Sequence, residues 1–240
     1  MFDLILKAAV QHKAHKEELP ATLYLILDIE FNASVRKARA TNSQNAKANW
    51  RTRMKRLLWT IQNEEAYQEF ERTGILRANE DHLFCQDDLR FAYDWICEQM
   101  KKRIGPPPVG VRYPIWAWYQ WEGKRKRMDQ RLSGYAKRGT PLVQITFEAA
   151  PGSFLLSDFD RWHIVLANQY VADNEAEWDK FYEVCPHPER SDVEPSWERI
   201  FDLTHYAPNW DCEPEKKSIQ ATLWQIEMSQ VKKVEHFLAK

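Results

Sequence analysis

The sequence predicts an α+β fold, a small mixed or antiparallel sheet flanked by helices, and three observations lead there. Short apolar runs suited to strands recur between residues 57 and 226, helices with cap and stop residues are interspersed among them, and strands and helices do not alternate regularly. No internal repeat is present. Seven glycines against eleven tryptophans exclude a flexible low-complexity chain, and 240 residues that are 44% hydrophobic can bury a sizeable core. No apolar run reaches the roughly 20 residues that a bilayer-crossing helix needs, so no membrane partner is expected. Leu4 to Val10, interrupted by Lys7, is too short for a secretory signal, and the expected location is cytoplasmic.

Taken in order, residues 1–56 read as a basic accessory segment and residues 57–240 as the main domain. The first segment holds eleven Lys or Arg against five Asp or Glu in a chain of net charge −1. Its helical spacing at Phe2, Leu6 and Ala9 gives way to Leu23 to Leu27, a buried-strand pattern, and then to a basic, exposed helix from Ala33 to Lys55. Between them, Asp28-Ile29-Glu30-Phe31-Asn32 resembles the metal-binding strand end of a von Willebrand type A domain, with Glu30 and Asn32 in place of its serines. Such a basic arm suits nucleic acid or an acidic protein as partner.

The main domain opens with a strand, Leu57 to Gln62. Asn63 then caps a helix over Glu64 to Thr73 that Gly74 stops. A second amphipathic helix runs from Asp87 to Arg103 with Tyr93, Ile96, Cys97 and Met100 on its apolar stripe, and Gly105 to Pro108 ends it. The aromatic strand Tyr113 to Trp121 follows and runs directly into Lys124-Arg125-Lys126-Arg127. Leu142 to Phe147 is the next strand, Pro151-Gly152 a turn, and Leu155 to Asp158 a strand end whose Asp158 caps a helix carrying Trp162, His163 and Leu166 inward. The acidic, proline-rich stretch from Asp173 to Pro214 predicts short helices. Ile219 to Ile226 alternates like a half-buried strand, and Val231, Val234 and Phe237 predict a closing helix.

Four cysteines without CxxC spacing argue against a disulfide framework. Cys185, His187, His205 and Cys212 are the residue types of a tetrahedral zinc site, but a proline-braced loop facing water explains them equally simply, and no metal is expected. Large π faces leading into a cationic loop suit an anionic, ring-bearing ligand. Against that stands burial, since one face of an alternating strand must be core, and Trp116 and Trp118 share a face.

Trp59 to Gln62, Pro114 to Trp118, Leu155 to His163 and Ile219 to Trp224 resemble the signature segments of an uncharacterised bacterial and archaeal domain family over residues 57–240. The layout is also similar, more weakly, to the ADP-ribosyltransferase fold: Trp59 to Gln62 with the following helix and Gly74 resemble its opening unit, and Ser218 to Ile226 its closing strand. That second resemblance implies NAD as cofactor and a toxin or phage-defence effector that modifies nucleic acid or protein, with a neutralising or accessory protein as partner. Thr60 and Gln62 would then bond the nicotinamide amide, Trp116 or Trp118 would stack on a ring, and Lys124, Arg125, Lys126 and Arg127 would meet phosphates. Gln220 stands where a transferase usually holds a glutamate that stabilises oxocarbenium charge, and an amide supplies a hydrogen bond without charge. Glu148, Asp158 and His163 are the other candidates for acid–base work. The transferase reading requires the strand at Thr60 and the element at Gln220 to lie side by side around a cleft wide enough for a dinucleotide. The competing reading is a non-catalytic nucleic-acid or protein binding module that uses the basic arm and the Trp/Lys/Arg patch.

Overall fold

Strand β1 (Arg56–Asn63) passes into helix α1 (Glu64–Thr73) at Asn63, whose side-chain oxygen accepts from the Ala66 N–H at 2.7 Å. The helix stops at Gly74, which takes a left-handed φ of 74° and donates its N–H to Phe70 O. Both limits match the sequence-based expectation. The computed structural model describes residues 55–79, 89–132 and 134–240, all within one compact unit, Met54–Lys240. The expectations for residues 1–54, the Leu23 to Leu27 strand and the basic helix among them, lie outside the described residues, as do Cys85 and Asp87.

Strand β2 (Ile75–Leu76) and helix α2 (Arg90–Ile104) come next, then β3 (Ile115–Gln120), β4 (Pro141–Ala149), β5 (Leu155–Asp158) and helix α3 (Phe159–Leu166). The acidic, proline-rich stretch forms short helices as expected: α4 (Glu175–Val184), α5 (Arg190–Val193) and a 3-10 segment at Glu194–Phe201. Strands β6 (Ile219–Leu223), β7 (Ile226–Glu227) and β8 (Val231–Leu238) close the chain.

Six strands pair in the order β5-β6-β3-β1-β4-β8, each neighbouring pair antiparallel, and β2 pairs with β7 separately. The fold is α+β, and among the described residues the sheet is antiparallel rather than mixed. Alternation along the strands sends Leu58, Ile115, Ala117, Val143, Ile145, Phe147 and Ala221 into one apolar cluster with Tyr67 and Phe70 of α1. On the other side, Ile96 and Met100 of α2, Trp162 and Val165 of α3, and Trp197 and Ile200 of the 3-10 segment pack with Leu155 of β5 and Trp116 of β3. A fully buried Val, Leu, Ile, Phe or Met side chain among them is worth about 1.5–3 kcal/mol.

Two expectations are corrected here. The closing segment is strand β8, not a helix: Val231 pairs with Phe147 and Val234 with Ile145, with a register shift between Thr146 and Phe147. That one-residue bulge puts Val231 and Val234, three apart, on the same sheet face and so reproduces a helical spacing. Phe237 instead pairs with Leu142 and meets Tyr135 edge-on. The expected strand Ile219 to Ile226 breaks after Leu223, where Trp224 turns aside to donate its indole N–H to Gly105 O at 2.9 Å.

A buried ionic network joins β5 and α3 to the segment before β6. Asp158 caps α3 by accepting from the N–H groups of Asp160 and Arg161, and it also takes the Lys217 ammonium at 2.6 Å. Lys217 is 0% exposed and reaches Asp211 at 2.9 Å with the same ammonium. Burial by itself would depress the Lys217 pKa, but the two carboxylates outweigh it and raise it. Arg161 adds bonds to Asp211 at 3.2 Å and Asp173 at 3.3 Å, and Arg199 holds Glu177 through two bonds of 2.9 Å.

Two outcomes follow from this network. Lys217→Met leaves buried Asp158 without a cation and Asp211 with Arg161 alone, and is expected to cost about 3–5 kcal/mol in urea unfolding, whereas the same change at exposed Lys216 should leave the unfolding midpoint close to that of the parent. Burial pushes the Glu177 carboxyl up, but hydrogen bonds from Arg199, the Asp173 N–H and the Tyr170 hydroxyl bring it down to about 2. A depressed carboxyl contributes stability that is present above its unfolded pKa of about 4.3 and is lost as pH falls through the folded value. Urea midpoints should therefore decline between about pH 4.5 and pH 2, and Glu177→Gln should flatten that decline.

Candidate functional site

Strands β1 and β3 pair at Trp59 opposite Trp118, and past that point a side-chain bond spans them, the Thr60 hydroxyl donating to Trp116 O at 2.8 Å. Gln62 donates to the same hydroxyl at 2.7 Å. Over this junction lies a cavity of about 200 Å³. Thr60 and Ile61 come to it from β1, Trp116, Ala117 and Trp118 from β3, Gln220 from β6, and Met128 and Tyr135 from the loop between β3 and β4. Gln220 pairs with Trp118, and Ser157 pairs with Gln220, so one row of the sheet runs Ser157, Gln220, Trp118, Trp59 across four strands.

The strand bearing Thr60 and the strand bearing Gln220 are therefore not adjacent, because β3 lies between them, although both residues reach the cavity. Its volume is below the roughly 300–1,000 Å³ of sites that enclose drug-sized ligands. A single ring fits inside; a whole dinucleotide does not.

The tryptophans serve packing and cavity at once. Trp116 meets Trp162 at 4.9 Å and Tyr93 at 6.2 Å, while Trp118 meets Trp121 edge-on at 4.5 Å and Phe159 at 4.9 Å. Both are half-buried, and both line the cavity. Two side chains that line the cavity carry a buried polar atom without a hydrogen-bond partner in the protein, Trp116 Nε1 and Gln220 Oε1, and neighbouring Ser157 Oγ is a third. An unmatched buried polar atom costs about 1–3 kcal/mol.

The basic loop begins with a tight turn. Trp121 and Lys124 exchange both backbone bonds at 2.9 Å, and Glu122 and Gly123 take φ values of 46° and 72°. Arg125 then folds back, its guanidinium 3.7 Å from the Tyr119 ring centre and 2.7 Å from Leu57 O. Arg127 bonds Gln144 at 3.2 Å and pairs with Glu235 at 3.3 Å. Arg125 and Arg127 thus pin the loop to the sheet. Lys124 is exposed, and Lys126 is exposed with only a 3.7 Å pairing to Glu122, which leaves these two ammonium groups at the surface.

Other candidates lie elsewhere. Asp158 is the buried cap already described, its carboxylate committed to two N–H groups and Lys217. His163 does not point inward: it is exposed, with Nδ1 2.8 Å from Phe159 O, because Trp162 and Val165 take the buried face of α3. Glu148 pairs with Lys232 at 2.9 Å and does not line the cavity. Among the described residues no carboxylate lines it. Cys185 and His205 hold other partners, Asp192 and Asp173 O, and among the described residues no three His, Cys, Asp or Glu side chains gather as metal ligands. Burial pushes the Cys97 thiol up to about 12, so it is no nucleophile. Among the described residues no helix is long and apolar enough to cross a membrane. Met128 and Tyr135 were not singled out from the sequence; their only signal was an apolar and an aromatic residue inside a cationic run.

The turn generates a stability test. A Cβ on Gly123 would stand 2.3 Å from Glu215 O, whereas one on Gly139, with a φ of 84°, would meet nothing within 4 Å. Both alanine variants carry backbone strain of about 1–2 kcal/mol, and urea unfolding should find Gly123→Ala the more destabilised of the two by its added steric clash.

A family model described as a domain of unknown function (DUF3841) matches residues 57–232. Neither the curated proteins nor the solved structures contain a match.

Proposed function

The chain belongs to the DUF3841 family, and we propose that it binds a nucleotide, with the flat ring in the cavity between β1, β3 and β6 and the phosphate on the basic loop. One observation carries this reading: the loop that presents Lys124 and Lys126 at the surface also supplies Met128 and Tyr135 to the cavity, so one chain segment carries both cations and cavity lining. Ring stacking on aromatic side chains contributes about 1–3 kcal/mol per base, and phosphate contacts add a salt-sensitive term. Nicotinamide is small enough for the cavity, and the remainder of NAD would lie outside it along the loop.

A second reading, ADP-ribosyl transfer, draws on Gln220 and Thr60 lining the same cavity. Among the described residues no anionic group lines the cavity to stabilise the charge that develops as nicotinamide leaves, so binding without transfer is the better-supported function.

Titrating the full chain with NAD, ATP and an oligothymidylate, and following tryptophan fluorescence, tests both. Saturable quenching is expected, weakened several-fold between 50 and 200 mM salt and again by Lys124→Glu with Lys126→Glu. Absence of quenching by all three ligands would overturn the nucleotide reading. Label transferred from labelled NAD to protein or RNA, and lost in Gln220→Ala, would favour the transferase.

A further inference from the structure

We infer that the ligand is a single-stranded nucleic acid of two or more nucleotides, one base entering the cavity beside Trp118 and the next resting on a ring platform formed by Trp121, Phe159 and His163. This rests on the reading of the cavity as a ring site and deepens it by naming the ligand class. Trp118 lines the cavity and meets Trp121 at 4.5 Å and Phe159 at 4.9 Å, and Phe159 meets His163 at 4.4 Å. Four rings therefore run without a break from the cavity wall on β3 to an exposed position on α3. Among the described residues, neither apolar cluster includes any of the four. Trp118, Trp121 and Phe159 are half-buried and His163 is exposed, so core packing does not account for them. Their contacts are edge-on or tilted, at 90°, 53° and 75°, and none of these pairs stacks in parallel. Tyr170 and Phe181, by contrast, close each other's faces at 4.0 Å and 9°.

Cations stand beside the platform. Trp121 exchanges backbone bonds with Lys124, so a platform ring and an exposed ammonium share one tight turn. The backbone of Glu215 and Lys216 packs against Gly123 of that turn, and the Lys216 side chain is 70% exposed, paired at the surface with Glu213. From the turn onward, residues 122–139 hold seven Lys or Arg against two Asp or Glu. Sequence-tolerant binding of single strands uses this combination, rings for successive bases and a cationic path for the backbone. A lone nucleotide would occupy the cavity and leave the platform bare. A duplex holds its bases inside the stack, where these rings cannot reach them.

Thymidine monophosphate, tetrathymidylate and an abasic deoxyribose-phosphate tetramer are the probes, titrated calorimetrically into the full chain. Tetrathymidylate should bind at least about tenfold tighter than the monophosphate, the worth of one further stacked base. It should also bind at least about tenfold tighter than the abasic tetramer, which matches its backbone charge and lacks its rings. Trp121→Leu, which keeps apolar bulk, and His163→Ala, at an exposed position, should each lower the ratio of tetrathymidylate to monophosphate affinity by about threefold or more. Equal affinity for tetrathymidylate and either comparison probe, a ratio indifferent to both variants, or tighter binding of duplex DNA than of a single strand of the same length would each overturn the inference. The comparison of probes on the parent chain decides the question even if a variant fails to fold. Equal binding of monophosphate and tetramer removes the strand and keeps the nucleotide reading, whereas no binding of any nucleotide, NAD and ATP included, removes the nucleotide reading itself.

Discussion

The position of Lys217 constrains most of what lies around the cavity. Its ammonium is shared between Asp158 and Asp211, and its carbonyl oxygen accepts from Gln120 Nε2 at 2.9 Å and from the Gly123 N–H at 3.2 Å. One residue therefore fixes the start of α3 through its side chain and the start of the basic loop through its backbone. The aromatic helix and the cationic turn are thus tied to one point next to β6. Taking two or three charges out of water is repaid only when every partner is in place, so the arrangement tolerates little rearrangement.

The cavity itself arises where regular pairing gives out. An antiparallel ladder satisfies its own N–H and C=O groups and leaves no room between neighbouring strands. Past Trp59 and Trp118 a hydroxyl bond from Thr60 takes over, and a bulge between Trp118 and Gln120 shifts the β3–β6 register on the other side. Side chains with large rings then bridge the gap without filling it, and the polar ends of Trp116 and Gln220 remain unmatched. Sheet irregularity, aromatic content and unmet polar groups coincide at one place, and that coincidence, rather than any single residue, singles it out.

Local signals in the sequence translated directly into structure. Asn63 and Asp158 were readable as helix caps, Gly74 as a stop, and the proline-rich stretch as short helices, because each depends on neighbours a few residues away. Long-range facts were not readable. Nothing in the spacing says that β3 inserts between β1 and β6, and Lys216 and Lys217 look alike although one is solvated and the other wholly buried. His163 was misplaced because it adjoins Trp162 on a helix; two consecutive positions diverge by about 100°, and the larger apolar ring took the buried side. The Trp116 and Trp118 pair was seen as either core or ligand wall, and the structure has both rings packed against α3 while they line a cavity.

Among the described residues, strand β8 lies at the outer margin of the sheet, with Lys232 and Lys233 exposed beside its bulge. A further extended chain docking there would have to desolvate two ammonium groups and follow an uneven spacing of backbone donors and acceptors, both of which oppose fibril-like growth. The irregularity that disguised this segment as a helix is thus also a safeguard against self-association through the open margin.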